Sequence, residues 1–205
     1  TFLTRIGFLE HWGYMKKDSD EFNKEREIFS TKGACMLCRK KVIDKVGLFD
    51  SDFFNYYEES DFCWRVYLAG FNVMYVPVTS IYHKVGFSSK KQNQAMVNFN
   101  SLKNMMSSFI KNLQFGNLLI IGGTFAFLNL SLSFYYLLRL RFSECFMIWK
   151  AFIWNIGNLK NTLNKRRITQ GIREKSDEEI FKKVMHPFSL GKMWEHFQKV
   201  EANFK

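Results

Sequence analysis

Between Asn112 and Leu138 the chain carries no charged residue. Asn117-Leu118-Leu119-Ile120-Ile121-Gly122-Gly123 opens the run and Phe134-Tyr135-Tyr136-Leu137-Leu138 closes it. Roughly 20 apolar residues suffice to cross a bilayer as a helix. Soluble helices rarely stay uncharged for so long, because their outer face meets water. The run therefore predicts a membrane-associated helix, with the tyrosines near its end and Arg139 and Arg141 just beyond it as interfacial anchors. Residues 142–159 form a second apolar stretch, broken by Glu144 and Lys150. Burying both charges in lipid is costly. This stretch is expected to lie in the interface, with Trp149 and Trp154 at headgroup depth, or to half-enter as a hairpin partner. Lys165-Arg166-Arg167 follows. Basic residues thus flank both sides, so the positive-inside rule does not fix an orientation. A hairpin with both ends cytosolic fits better than one crossing.

The net charge of +11 and the 23 phenylalanines point to an anionic partner, either nucleic acid or an acidic membrane surface. No nucleic-acid reading motif is present and the charge is not focused on one helix. A nucleic-acid binder also leaves the uncharged run unexplained. A membrane and no nucleic acid is the expectation. Four cysteines without a secretory signal at the start argue against a disulfide framework. Cys35 and Cys38 form a lone CxxC in apolar surroundings, with no further zinc ligands nearby, and read as buried thiols.

Residues 1–32 read as loops and short strands, and Gly33–Cys38 as a short buried strand. Lys40–Val46 suits one or two helical turns ended by Gly47. Residues 59–69 suit a helix whose acidic start complements the dipole, with Gly70 at the stop. Residues 71–76 read as a strand that Pro77 ends. Strand, helix and strand on short links predict a mixed α/β domain over 1–88. Met96, Phe99, Leu102, Met105, Met106, Phe109 and Ile110 recur at helical spacing, which makes 89–112 an amphipathic helix. Residues 113–160 are the hydrophobic helices. Residues 161–205 read as a basic tail, within which Ser176-Asp177-Glu178-Glu179 has a capping-box pattern.

The densest chemistry lies in Phe53-Phe54-Asn55-Tyr56-Tyr57-Glu58-Glu59-Ser60-Asp61-Phe62-Cys63-Trp64-Arg65. Carboxylates crowded beside apolar residues ionise at a cost, and such clusters tend to hold a proton acceptor or a metal. The plainer reading is a solvated helix start with Asp61 and Arg65 as an i,i+4 ion pair. Two Asp-x-Asp triplets, Asp18-Ser19-Asp20 and Asp50-Ser51-Asp52, are weak metal candidates.

The ordered set Gly33-Ala34, Arg39, Gly47-Leu48-Phe49-Asp50, Phe54, Tyr56-Tyr57-Glu58-Glu59-x-Asp61, Arg65, Gly70, Pro77 and His83-Lys84 resembles the acceptor-side half of family 2 glycosyltransferases, the rhamnosyltransferase-like subgroup most closely. The resemblance covers roughly residues 1–112. It implies the acceptor-side half of a GT-A-like mixed sheet domain, followed by a membrane-associated helical region. It implies inverting, metal-dependent transfer of a sugar from a nucleotide sugar to a glycan or lipid-linked acceptor, with the catalytic part on the cytoplasmic side of the membrane. By the same resemblance Glu59 is the catalytic base, Glu58 and Asp61 tune and orient it, and His83 is a metal or diphosphate ligand for magnesium or manganese. Arg65, Trp64, Tyr57 and Lys84 are candidate substrate contacts, with Arg65 also read as the structural partner of Asp61 and Trp64 as a packing residue. Neither Asp-x-Asp triplet stands where the family places its metal triplet. The nucleotide-binding half is expected before Thr1, holding most of the metal, and the chain alone is expected to be inactive. The alternative is a non-catalytic, membrane-anchored scaffold or assembly subunit derived from such an enzyme.

Overall fold

The computed structural model describes residues 1–14, 16–83, 94–187 and 191. The protein is mixed α/β, with two small sheets set against a set of helices. Strands β1 (Phe2–Thr4) and β2 (Leu9–Glu10) pair antiparallel, and β5 (Met185–His186) adds to β1 in parallel. Strands β3 (Arg26–Glu27) and β4 (Met74–Tyr75) form a separate antiparallel pair. The helices are α1 (Lys40–Val46), α2 (Glu58–Leu68), α3 (Gln94–Asn112), α4 (Phe115–Leu138), α5 (Phe142–Gly157), α6 (Leu159–Gly171) and α7 (Asp177–Val184).

Helix α2 is the centre of the core. Every residue from Ser60 to Leu68 is buried, so it has no water-facing stripe. Trp64 meets Phe29 and Phe109 edge-on, with centroids 5.3 and 6.0 Å away. The Tyr67 hydroxyl donates to the Ile28 carbonyl at 2.8 Å, which anchors the helix to the segment after β3. The helix stops where expected. Gly70 takes φ +89°, its N–H donates to the Tyr67 carbonyl, and the Phe71 N–H reaches the Val66 carbonyl. Both bonds of a Schellman stop are present, and the left-handed residue they need is cheapest as glycine.

Three sequence expectations are corrected here. Gly33–Cys38 is a turn and an irregular segment, with Leu37 fully exposed, because no described strand lies beside it to satisfy its backbone. The strand over 71–76 shrinks to the two residues that find a partner in β3. The residues after 160 are not a tail as far as 187. Helices α6 and α7 pack on the domain, and β5 returns to the first sheet. The capping box at Ser176 is present, with the Ser176 side chain and the Glu179 carboxylate each bonding the other's backbone.

Helix α3 packs against α2, α5 and α6. It buries Phe99 and Phe109 and, beside them, the polar Asn100, Lys103, Asn104, Ser107, Ser108, Lys111 and Asn112. Helix α4 runs for 24 residues, long and apolar enough to cross a membrane; its most apolar window has mean hydropathy 1.7, and only 22% of that window is buried in the protein. It is joined to α5 through Arg139-Leu140-Arg141, and the two helices pack together.

Candidate active site

The site is built where the loop 50–57 enters α2. Tyr56 and Tyr57 both sit in the left-handed region, at φ +67° and +70°. Two successive non-glycine residues there are strained by about 1 kcal/mol each or more. Helix α3 holds them. Asn104 Nδ2 donates to the carbonyls of Asn55 (2.9 Å) and Tyr56 (2.7 Å), and Asn100 Nδ2 donates to the Asn55 side chain at 2.8 Å. Lys103 Nζ donates to the Asp52 carbonyl at 2.8 Å. The Tyr57 carbonyl then accepts the first helical bond, from the Asp61 N–H. The strained pair fixes the direction in which Glu58 and Glu59 leave the loop.

Glu58 and Glu59 lie together at the first turn. One oxygen of each, Glu58 Oε2 and Glu59 Oε2, is buried without a hydrogen-bond donor, as are Thr31 Oγ1 and the Tyr57 hydroxyl. Each such orphan costs about 1–3 kcal/mol. Burial pushes the Glu58 carboxyl above its usual value, and the neighbouring Glu59 charge pushes it further. A protonated Glu58 also hydrogen-bonds Glu59, which favours the same state. Burial likewise holds the Tyr57 phenol well above its usual value, with the charges of Asp61 and Glu59 adding to it.

Lys32 is a charge near the pair that the sequence reading missed. Ser30 Oγ meets Ser60 Oγ at 3.0 Å, which draws the 30–32 segment alongside the start of α2. Lys32 is exposed, yet local burial of its ammonium lowers its pKa against the opposing pull of Glu59 and then Glu58. Only its charge could have signalled it, because it lies far from the acidic cluster in sequence.

Asp61 belongs to a different system. It is fully buried and accepts from Arg65 Nε (3.1 Å), Ser108 Oγ (2.8 Å) and Asn112 Nδ2 (3.0 Å), with Lys111 Nζ at 3.0 Å. Burial raises the Asp61 carboxyl, but Lys111 and then Arg65 outweigh it and hold it below its usual value. An anion so satisfied does not take a proton from a substrate, so its expected tuning role becomes a structural one. Arg65 spends its other donors on the carbonyls of Val46 and Leu48 (2.8 Å to the latter), and so is a strut. Trp64 is 0% exposed and has no ring face for a sugar. Tyr57 is buried and presents only an unpartnered hydroxyl.

The triplet Asp50-Ser51-Asp52 binds cations, but they are lysines. Lys111 and Lys165 pair with Asp50, Lys165 reaches Asp52 at 2.7 Å, and Asn158 and Asn161 donate to Asp52 Oδ2. His83 ends an exposed segment that begins at Val78, beyond the point where Pro77 stops pairing. It is not gathered with Glu58 and Glu59. Among the described residues no three His, Cys, Asp or Glu side chains group to hold a metal. Two carboxylates facing a lysine are too few donors for magnesium or manganese, which want about six oxygens. Lys84 lies outside the described residues.

Two surface clefts are lined by Trp12, Lys16, Asp18, Phe22 and Tyr75 and by Asn164, Arg167 and Ile168, and neither includes Glu59 or His83. Comparison of the chain with models of protein families, with curated proteins and with solved structures finds no match.

Proposed function

We propose that this chain is the acceptor-side part of an inverting, membrane-associated sugar transferase in which Glu59 is the general base. The observation that carries the reading is the Glu58–Glu59 pair, two adjacent carboxylates with buried unpartnered oxygens beside Lys32, presented by a loop held in a strained conformation. Buried strain and orphaned acceptors persist only where something else fixes them, and they concentrate at functional sites. In the proposed step the acceptor hydroxyl gives its proton to Glu59. Its oxygen bonds to the anomeric carbon of the donor, and the bond from that carbon to the diphosphate oxygen breaks with its electron pair leaving on the diphosphate. One displacement gives inversion. Glu58, whose carboxyl burial and the Glu59 charge hold above its usual value, stands beside Glu59 and orients it. Lys32 offsets the negative charge of the pair. The donor nucleotide and its divalent metal are assigned to a nucleotide-binding part outside these residues, and the acceptor is a glycan or a lipid-linked sugar.

One observation favours the scaffold reading: Asp61, Trp64 and Arg65, three of the seven described candidates, are buried inside the protein. Glu59→Gln, in an enzyme complemented with its nucleotide-binding part, separates the two. A base contributes about a hundredfold or more to rate. Loss of transfer on that scale with unchanged melting supports the enzyme. Full transfer by the variant overturns it in favour of the scaffold.

A further inference from the structure

The outer face of the α4–α5 hairpin is apolar, unlike that of a water-soluble pair. Its buried stripe includes Asn129, Ser133 and Asn155, whose polar groups are turned back onto the carbonyls of Phe125, Leu130 and Ala151. Its exposed stripe is Ile120, Phe127, Phe134 and Leu138 on α4, with Phe142, Phe146, Trp149, Ile153 and Ile156 on α5. Water does not tolerate a face of that size on a monomer. At the link, Leu140 takes φ +56°, where glycine is cheaper, and keeps its side chain outside the protein. Exposed cations stand at both ends of the face: Arg139 at the link, and Lys160 and Arg167 beyond α5.

We infer that this face seats the protein flat on one leaflet of an anionic bilayer, without crossing it. The inference deepens the membrane part of the function proposed above. Packing decides the mode. Helix α4, about 36 Å long at 1.5 Å per residue, is long enough to cross if it stands upright. A three-residue link makes α5 its antiparallel neighbour, and α5 packs on α3. Asn155 Nδ2 donates to the Lys103 carbonyl at 3.1 Å, and the Lys103 ammonium is bonded to the Asp52 carbonyl. An upright α4 therefore carries Lys103 and Lys150, with the loop that holds the candidate base, towards hydrocarbon, at about 3 kcal/mol or more per charge. It also sends Arg139, Arg141 and Glu144 through to the far side. Lying flat, the apolar stripe meets acyl chains while the cations at both ends meet anionic headgroups, and the Glu58–Glu59 pair stays in water.

The test uses the full chain and sealed phosphatidylcholine vesicles with and without phosphatidylglycerol. In a background where Cys35, Cys38 and Cys145 are serine, Ser143→Cys places a thiol near the link. A membrane-impermeant maleimide added outside, or trapped inside, reports its side. The flat seat predicts binding that needs the anionic lipid, and labelling only from outside. It also predicts at least about a tenfold fall in partition for Phe127→Glu or Ile153→Glu, the worth of one buried side chain. Labelling only from inside shows a crossing and overturns the inference. So does a chain that ignores vesicles and covers the face with a second copy of itself, or a glutamate variant that binds unchanged. Partition requires no sugar transfer, so these outcomes stand apart from the Glu59→Gln result.

Discussion

The Asp61 carboxylate is reached by Arg65, Ser108, Lys111 and Asn112, all of them buried. Removing one member of a buried ion pair costs about 3–5 kcal/mol, because the partner charge is left unpaired. Asp61→Asn is expected to destabilise the protein on that scale in urea unfolding. Combining it with Lys111→Met should recover part of the loss, and strict additivity of the two would contradict the coupling. Asp50 gives the pH dependence. Burial raises its carboxyl, and Lys111 and Lys165 more than reverse this, to about 2 from the usual 3.8. A depressed carboxylate stabilises the folded state above its unfolded value. The contribution, on the order of 2 kcal/mol, is complete above about pH 4 and fades as pH falls towards 2. Acid unfolding followed by circular dichroism should therefore shift to higher pH in Lys165→Met. At this scale the sequence was legible where partners are local: the Asp61–Arg65 pair is an i,i+4 relation. It was silent on Lys111, Ser108 and Lys32, which reach the site from distant segments through tertiary packing alone.

Helix α3 shows how an element can be placed correctly and still hold more than its pattern foretells, since it buries Phe99 and Phe109 as expected and a row of polar side chains beside them. Its spacing predicts an amphipathic helix, and the helix forms over Gln94–Asn112. An amphipathic helix is expected to bury apolar residues and show polar ones to water. Here asparagines, serines and lysines turn inward as well, because the loop 50–57 and the acidic start of α2 need donors. The boundaries of α2 and the stops at Gly47 and Gly70 were legible because they rest on local backbone bonding. The strained Tyr56-Tyr57 pair was not, since nothing in a tyrosine signals a left-handed backbone. Two substitutions test the strut. Asn104→Ala removes two donors from buried carbonyls and should cost about 1–3 kcal/mol, with a loss of transfer larger than the loss of folded fraction explains. Tyr56→Gly relieves the strain and should raise the melting temperature or leave it unchanged while lowering transfer. A Tyr56→Gly protein that melts earlier and transfers normally would remove strain from the account.

Across the whole molecule, one side carries the carboxylate pair and its struts, and the hairpin carries a broad apolar face. The uncharged run was the clearest signal in the sequence, and it does form a single long helix. What sequence could not supply is that α5, α3 and the candidate site are packed onto that helix in series. That packing makes the proposed membrane geometry follow from the fold. In buffer without lipid or detergent the full chain should self-associate through the exposed face, and a non-ionic detergent should return it to one copy per micelle in light scattering. A monodisperse monomer in plain buffer would mean the face is covered in some other way.

The claim on which the function depends is that Glu58 and Glu59 share a crowded, partly dry corner in which burial and the neighbouring Glu59 charge raise the Glu58 carboxyl. Carbon-detected NMR of the full chain labelled at glutamate side-chain carboxyls measures this directly, with Glu58→Gln and Glu59→Gln as assignments. The predicted result is a Glu58 signal that titrates above the usual glutamate range and falls back when Glu59 is neutralised. Two signals that titrate independently, each at the value of a solvated glutamate, would contradict the account.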